Sequence, residues 1–182
     1  MALREVLQFP DPRLKRVSEP VGEITDEIRT LADDMIEVMY DEPGIGLAAP
    51  QVGEAIRLVV MDTEWTDEEV DPGRNPTVMI NPEILERDGD VVWSEGCLSV
   101  PDFQAEVERA AHVVVRYTDL EGDEQTEDVT ELRAVCFQHE IDHLDGILFI
   151  DRISRLKRNL YAKKRKKAIK LEQEDVPASF RN

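Results

Sequence analysis

One short stretch constrains this chain more than any other: Thr130 to Leu144, which contains His139-Glu140-Ile141-Asp142-His143. Its apolar residues recur at helical spacing and Asp145-Gly146 follows as a stop, so it is read as a helix. Four residues advance a helix by about 400°, which puts both imidazoles on one side, one turn apart. Leu132, Val135 and Cys136 precede His139 on the same side, so the pair is expected to face the core. Two neutral imidazoles so placed can share one divalent ion. Glu140, turned by about 100°, can reach a water beside that ion. The competing reading is a surface helix with two solvated histidines.

A catalytic ion usually takes three protein ligands and leaves one position open. The third candidate is Cys97 in Glu95-Gly96-Cys97-Leu98-Ser99, because a thiolate suits borderline ions. The bland alternative for Cys97 is a small buried hydrophobe, and Cys136 fits that alternative by its place on the apolar helix face. His112, within a strand-like run, is read as an ordinary strand residue. A third segment, Gly44-Ile45-Gly46-Leu47-Ala48-Ala49-Pro50-Gln51, has no bulk and carries one amide. It lacks the spacing and the lysine of a phosphate loop. By itself it reads as a turn that lets another backbone come near.

Around these segments the chain reads as α+β. Residues 1–22 form an extended arm with Pro10, Pro12 and Pro20, and Thr25–Tyr40 an amphipathic helix capped by Thr25. Strands are expected at Ile56–Met61, Thr77–Ile80, Gly89–Trp93, Ala105–Glu108, His112–Thr118 and Gln125–Val129, with an exposed acidic loop at Thr63–Pro76. A last helix covers Arg152–Glu172. The expected architecture is mostly antiparallel sheet packed around the His139–His143 helix, with one helix N-terminal and one C-terminal to it. Two regions are expected: a catalytic domain over 1–160 and a basic helical extension and tail over 161–182.

Charge separates the same two regions. The net charge is −18. Ten of the 22 Lys/Arg lie between Arg152 and Lys170, where there is no Asp or Glu, so the remainder sets 12 cations against 40 acidic residues. An acidic body argues against DNA binding. Ile153, Leu156 and Leu160 give the last helix a stripe with which to dock, and Lys163–Lys167 are expected to project into solvent. No apolar run approaches the roughly 18 residues of a membrane span. The start, Met1 to Glu5, does not read as a secretory signal. Two cysteines make no disulfide framework. A cytoplasmic chain is the expectation.

Taken together and in this order, Gly44–Gln51, Glu95–Ser99 and Gln138–His143 resemble the three motifs of the peptide deformylases, and the arm Val6–Val21 resembles that family's N-terminal segment. The resemblance spans roughly residues 3 to 160 and is closer to the bacterial class. It implies a hydrolase that removes the N-formyl group from the initiator methionine of nascent chains. It implies one divalent ion on Cys97, His139 and His143, commonly Fe(II), with Zn, Ni or Co also found. It gives Glu140 the proton transfers and makes the Gln51 amide and the Leu98 N–H donors to the carbonyl oxygen. The peptide would pair with Ile45, Gly46 and Gly96, and the methionine side chain would meet Gly44, Leu132, Val135 and Cys136. By the same resemblance Glu95 bonds Arg109 behind the cysteine turn, and the basic C-terminal helix meets the ribosome near the tunnel exit. The rival readings are a metallopeptidase built on the same helix motif and a non-catalytic, metal-stabilised ribosome-docking module.

Overall fold

In the computed structural model, residues 4–66 and 73–175 are described. Residues 1–3, the middle of the acidic loop (67–72) and the end of the basic tail (176–182) lie outside the described residues, as do the expectations made for them.

Strands β1 (Gly46–Ala48), β2 (Leu58–Met61), β3 (Thr77–Asp88), β6 (His112–Thr118) and β7 (Glu124–Thr130) form one antiparallel sheet in the order β1-β2-β3-β6-β7. Strands β4 (Val91–Cys97) and β5 (Val100–Arg109) form a separate hairpin. Helices α1 (Asp26–Asp41) and α2 (Glu131–Leu144) cover opposite faces of the sheet. The alternation of a strand explains how. Leu47, Leu58, Val60 and Ile80 point towards Leu31, Met35 and Met39 of α1, while Ala48, Val59, Met61 and Met79 point towards Cys136, Phe137 and Ile141 of α2. Each such large side chain taken from water contributes about 1.5–3 kcal/mol. A third cluster joins Leu14 of the arm, Val100 and Val107 of the hairpin, Phe149 and Ile150 of a short 3-10 turn, and Tyr161 of α3 (Arg155–Asp175).

The α+β class, the antiparallel pairing and the three helices match the sequence reading. Several details differ. The arm contains a 3-10 turn at Pro12–Lys15, because Asp11 accepts from the Arg13 N–H at 2.9 Å. Thr25 stands at the N-cap of α1, but its hydroxyl makes no capping bond to the backbone. Gly46–Ala48 is an edge strand and not merely a turn; it pairs residue for residue with Ala48↔Val59 to Gly46↔Met61. Strand β3 runs on past Ile80 to Asp88 through a bulge. There Asn81 takes a left-handed conformation (φ 52°), and its amide exchanges two hydrogen bonds of 2.8 Å with the Val21 backbone. The described ends of the acidic loop are anchored, not free. Asp62 accepts from the N–H groups of Glu64, Trp65 and Asn75 and from the Tyr40 hydroxyl, and Trp65 meets the Tyr40 ring edge-on. Among the described residues, no helix is long and apolar enough to cross a membrane.

The basic helix also departs from expectation. Ile153 packs inward, but Leu156 and Leu160 are 70% and 60% exposed. The anchor is Tyr161, whose ring packs on Phe9 and Phe103 and whose hydroxyl donates to the Pro101 carbonyl. Nor does the whole run Lys163–Lys167 project into solvent. Arg165 turns back and donates to Gln8 Oε1 at 2.7 Å, so the helix rests on the N-terminal arm. An aromatic ring that can stack and bond outweighs two leucines that stay largely exposed.

Candidate metal centre

Helix α2 is buried on nearly every side, which follows from its place between the sheet, the hairpin and the 3-10 turn after it. Gly146, at φ 72°, ends it. A Cβ there would lie 2.5 Å from the Lys15 carbonyl, so only glycine lets the arm cross the helix end. His139 and His143 face the same way, with their Nε2 atoms 3.3 Å apart. The hairpin brings up the third donor. At the bulge that closes β4 onto β5, Cys97 Sγ lies 3.3 Å from His143 Nε2. One donor atom from each of Cys97, His139 and His143 falls within a 4.8 Å cluster. Those are a thiol and two imidazoles, the donor set suited to one first-row divalent ion.

His139 is aimed from behind. Its Nδ1 is 2.8 Å from Glu95 Oε2. Arg109 grips the same carboxylate with two bonds of 2.6 and 2.9 Å. Burial alone would raise the Glu95 pKa; the Arg109 bonds and then His139 outweigh it and hold the carboxyl at about 2. The Glu95–Arg109 pair expected by resemblance is therefore present, and both side chains are almost fully buried. It continues into a chain of charges that sequence reasoning missed. Arg109 also donates to Asp142 at 2.6 Å, and Arg152 binds both oxygens of Asp142 at 2.5 Å. Asp142 sits inside the motif at a position the pattern leaves open, and nothing in the sequence links it to Arg152.

Glu140 enters the pocket beside the donors. Its Oε2 is buried with no hydrogen-bond partner among the described residues. Burial pushes its carboxyl up to about 7. An orphaned carboxylate oxygen next to three convergent donors is what an ion and its water would satisfy. The fit depends on Gly46, because a Cβ there would stand 2.5 Å from Glu140 Oε1 and 3.0 Å from Cys136 Sγ. Gln51 follows β1 in a 3-10 turn and is 1% exposed. Its Oε1 accepts from the Ala48 N–H at 2.8 Å, which turns Nε2 towards Ser99 Oγ at 3.2 Å and Cys97 Sγ at 3.6 Å. The fully buried Ser99, which sequence reasoning passed over, thus helps set the amide.

These groups share one cavity of about 930 Å³. Gly44, Ile45 and Gly46 of the glycine segment, Gly96, Cys97 and Leu98 of the hairpin and Leu132, Val135 and Cys136 of α2 all line it. Every residue picked out from the sequence as a site residue lines this cavity except His143, which lies behind it at 1% exposure.

Comparison with known proteins gives the same answer. The polypeptide deformylase family pattern matches residues 3–159. The peptide deformylase of Afipia carboxidovorans is 55% identical over 94% of this chain and 98% of its own length. One from Rhodopseudomonas palustris is 53% identical over 93% of this chain and 97% of its own. Among solved structures, a peptide deformylase from Legionella pneumophila superposes with a TM-score of 0.85 at 40% identity, covering 97% of this chain and all of that one. The enzyme from Ehrlichia chaffeensis in complex with actinonin gives 0.84 at 37% identity, over 92% of this chain and 98% of that one. With its donor cluster, its buried carboxylate and its match along almost the whole length, this chain belongs to the peptide deformylase family.

Proposed function

We propose the following division of labour for the hydrolysis that this chain catalyses, removal of the formyl group from nascent polypeptides. Cys97, His139 and His143 hold one divalent ion, with Fe(II) as the working ion and Zn, Ni or Co as substitutes that the same donors accept. Such an ion, when bound, lowers the pKa of water and polarises a carbonyl. Glu140 takes the proton from the attacking water. It returns that proton to the nitrogen of methionine as the C–N bond breaks, leaving formate and a free amino terminus. A carboxyl held near neutrality by burial suits both halves of this task. Gln51 Nε2 and the Leu98 N–H donate to the oxygen on which charge develops. The Ala48 N–H holds Gln51 in this orientation before substrate arrives, and one such donor is worth about 3 kcal/mol.

The peptide lies extended in the cavity. Gly46 on the edge strand of the sheet, Ile45 before it and Gly96 in the same cavity are the main-chain positions for pairing. The methionine side chain enters between Gly44, Leu132, Val135 and Cys136. The observation that carries this reading is the gathering of a sulfur and two imidazole donors beside an unpartnered, buried Glu140 oxygen. The test is release of formate from formyl-Met-Ala-Ser, with the N-acetyl peptide as contrast. Formate from the first and no acetate from the second is expected; equal cleavage of an internal peptide bond would make the chain a general metallopeptidase.

The outer face of α3 is assigned to the ribosome near the tunnel exit. Lys163, Lys166 and Lys167 are exposed there, and phosphate contacts would make binding fall steeply with salt. Truncation is a poor test, because Tyr161 and Arg165 hold α3 to the arm and the hairpin. Reversing Lys163, Lys166 and Lys167 to Glu keeps those anchors. It should spare formate release from a free tripeptide and weaken co-sedimentation with ribosomes; unchanged co-sedimentation would leave the face without this role.

A further inference from the structure

A second groove adjoins the catalytic cavity at the hairpin. Phe103 and Gln104 close the cavity on the β5 side and at the same time form the near wall of this groove of about 440 Å³. The far wall of that groove is α3, which contributes Lys157, Leu160 and Lys164 at helical spacing around Tyr161. We propose that this groove is a subsite for the stretch of the formylated chain downstream of the residues held in the catalytic cavity, and that it prefers an apolar side chain next to an acidic one. The proposal rests on the deformylase reading of the first cavity.

Three observations carry it. The first is adjacency: Phe103 and Gln104 are common to both, so an extended chain leaving the first cavity over these two residues reaches the second. The second is that the groove is already built. Phe103 stacks on Phe149 at 6.0 Å and on Tyr161 at 4.7 Å, and the Tyr161 hydroxyl donates to the Pro101 carbonyl at 3.2 Å. Little ordering has to be supplied by the ligand. The third is charge. The catalytic cavity is lined by Glu42, Glu95, Asp102 and Glu140 and, among the described residues, by no Lys or Arg. The groove carries two lysines, neither of them in an ion pair among the described residues. On a chain with 40 acidic residues, two unpaired ammonium groups beside a 60% exposed leucine mark a place for an apolar, negatively charged ligand.

The test compares formyl-Met-Ala-Ser with a formyl-Met peptide of about nine residues carrying Leu and Glu in its second half, long enough at roughly 3.3 Å per residue to run from one cavity across the other. The intact chain should turn over the longer peptide with a kcat/KM roughly five- to tenfold higher, mainly through KM. Leu160→Glu, and separately the double change Lys157→Glu with Lys164→Glu, should remove that gain and leave the tripeptide within about twofold. These side chains are exposed, so folding is not at stake, and the tripeptide rate reports it in each sample. Equal kcat/KM for the two peptides in the unaltered protein overturns the proposal, as does a length gain that survives both variants. So does a Leu160→Glu change that lowers self-association or ribosome co-sedimentation while the length gain persists, because the groove then has another occupant. Failure to deformylate even the tripeptide would instead remove the catalytic reading.

Discussion

Helices α2 and α3 show two ways in which one chain holds a helix. Helix α2 is short, nearly all buried, and touches the sheet on one side and the hairpin and 3-10 turn on the other. Its polar residues are not tolerated passengers. Gln138 bonds the Ala110 backbone in both directions, His139 is held by Glu95, and Asp142 stands between two guanidinium groups. Helix α3 is longer, mostly exposed, and anchored chiefly by Tyr161 and Arg165. In α2 most side chains are fixed by packing and hydrogen bonds; in α3 most face solvent. Chemistry needs the first kind of helix, and a docking surface can be made from the second.

The largest expected effect is on the α2 side. Glu140→Gln should keep the ion and lose roughly 10²–10⁴ in kcat, the range for a missing general base. Metal analysis beside a formate assay checks it; loss of the ion would make Glu140 a ligand instead. Next comes the charge chain behind His139. Arg109→Ala leaves Glu95 and Asp142 buried without their shared partner. It should cost roughly 3–5 kcal/mol of stability and lower metal affinity by about 10–100-fold. Arg152→Ala, at the outer end of the chain, should do the same in smaller measure, because Asp142 keeps Arg109. A variant of Arg109 that melts and binds metal normally would show that the pair is no more than a solvated contact.

The α3 side should respond differently. Tyr161→Ala should cost about 2–4 kcal/mol through lost ring contacts, whereas Leu156→Ala should change the melting point by no more than the equivalent of about 0.5 kcal/mol. If the two were equal, the helix would be held by its leucines, as the sequence alone suggests. A smaller effect tests the anchored loop. Asp62 is held below the usual carboxylate range: burial opposes this, but the Tyr40 hydroxyl and then the Asn75, Glu64 and Trp65 N–H groups outweigh it. Its contribution to stability is present above the unfolded-state pKa of about 4 and is lost as the pH falls through the lower folded value. The melting-point difference between the unaltered protein and Asp62→Asn should therefore shrink between pH 6 and pH 3.

The same contrast explains what could be read from the residues. The three motifs carry the donors, the carboxylate and the amide. Their spacing on a helix and their place in glycine turns are local properties, so the residues that gather around the cavity are legible in the sequence almost whole. The partners that aim these groups are not. Ser99, Asp142 and Arg152 meet their targets through contacts between distant parts of the chain, with no local pattern to announce them. Edge strand β1 was hidden because Gly46-Leu47-Ala48 has the composition of a turn, and only its pairing with Val59–Met61 makes it a strand. The extension of β3 past Asn81-Pro82 needed a bulge whose clamp lies on Val21. On α3, apolar spacing pointed to Leu156 and Leu160, but the ring of Phe103, brought up by the hairpin, selected Tyr161.

In the proposed function the hairpin cysteine completes a metal centre begun by two histidines on α2. This role is tested most directly by measuring bound metal per chain in Cys97→Ala and Cys136→Ala beside the unaltered protein. The two cysteines lie on opposite sides of the account: Cys97 belongs to the donor cluster and Cys136 to the apolar wall. One ion per chain is expected in the unaltered protein and in Cys136→Ala, with Cys97→Ala retaining no stoichiometric ion after dialysis. A Cys97→Ala protein that keeps one tightly held ion per chain would contradict the account.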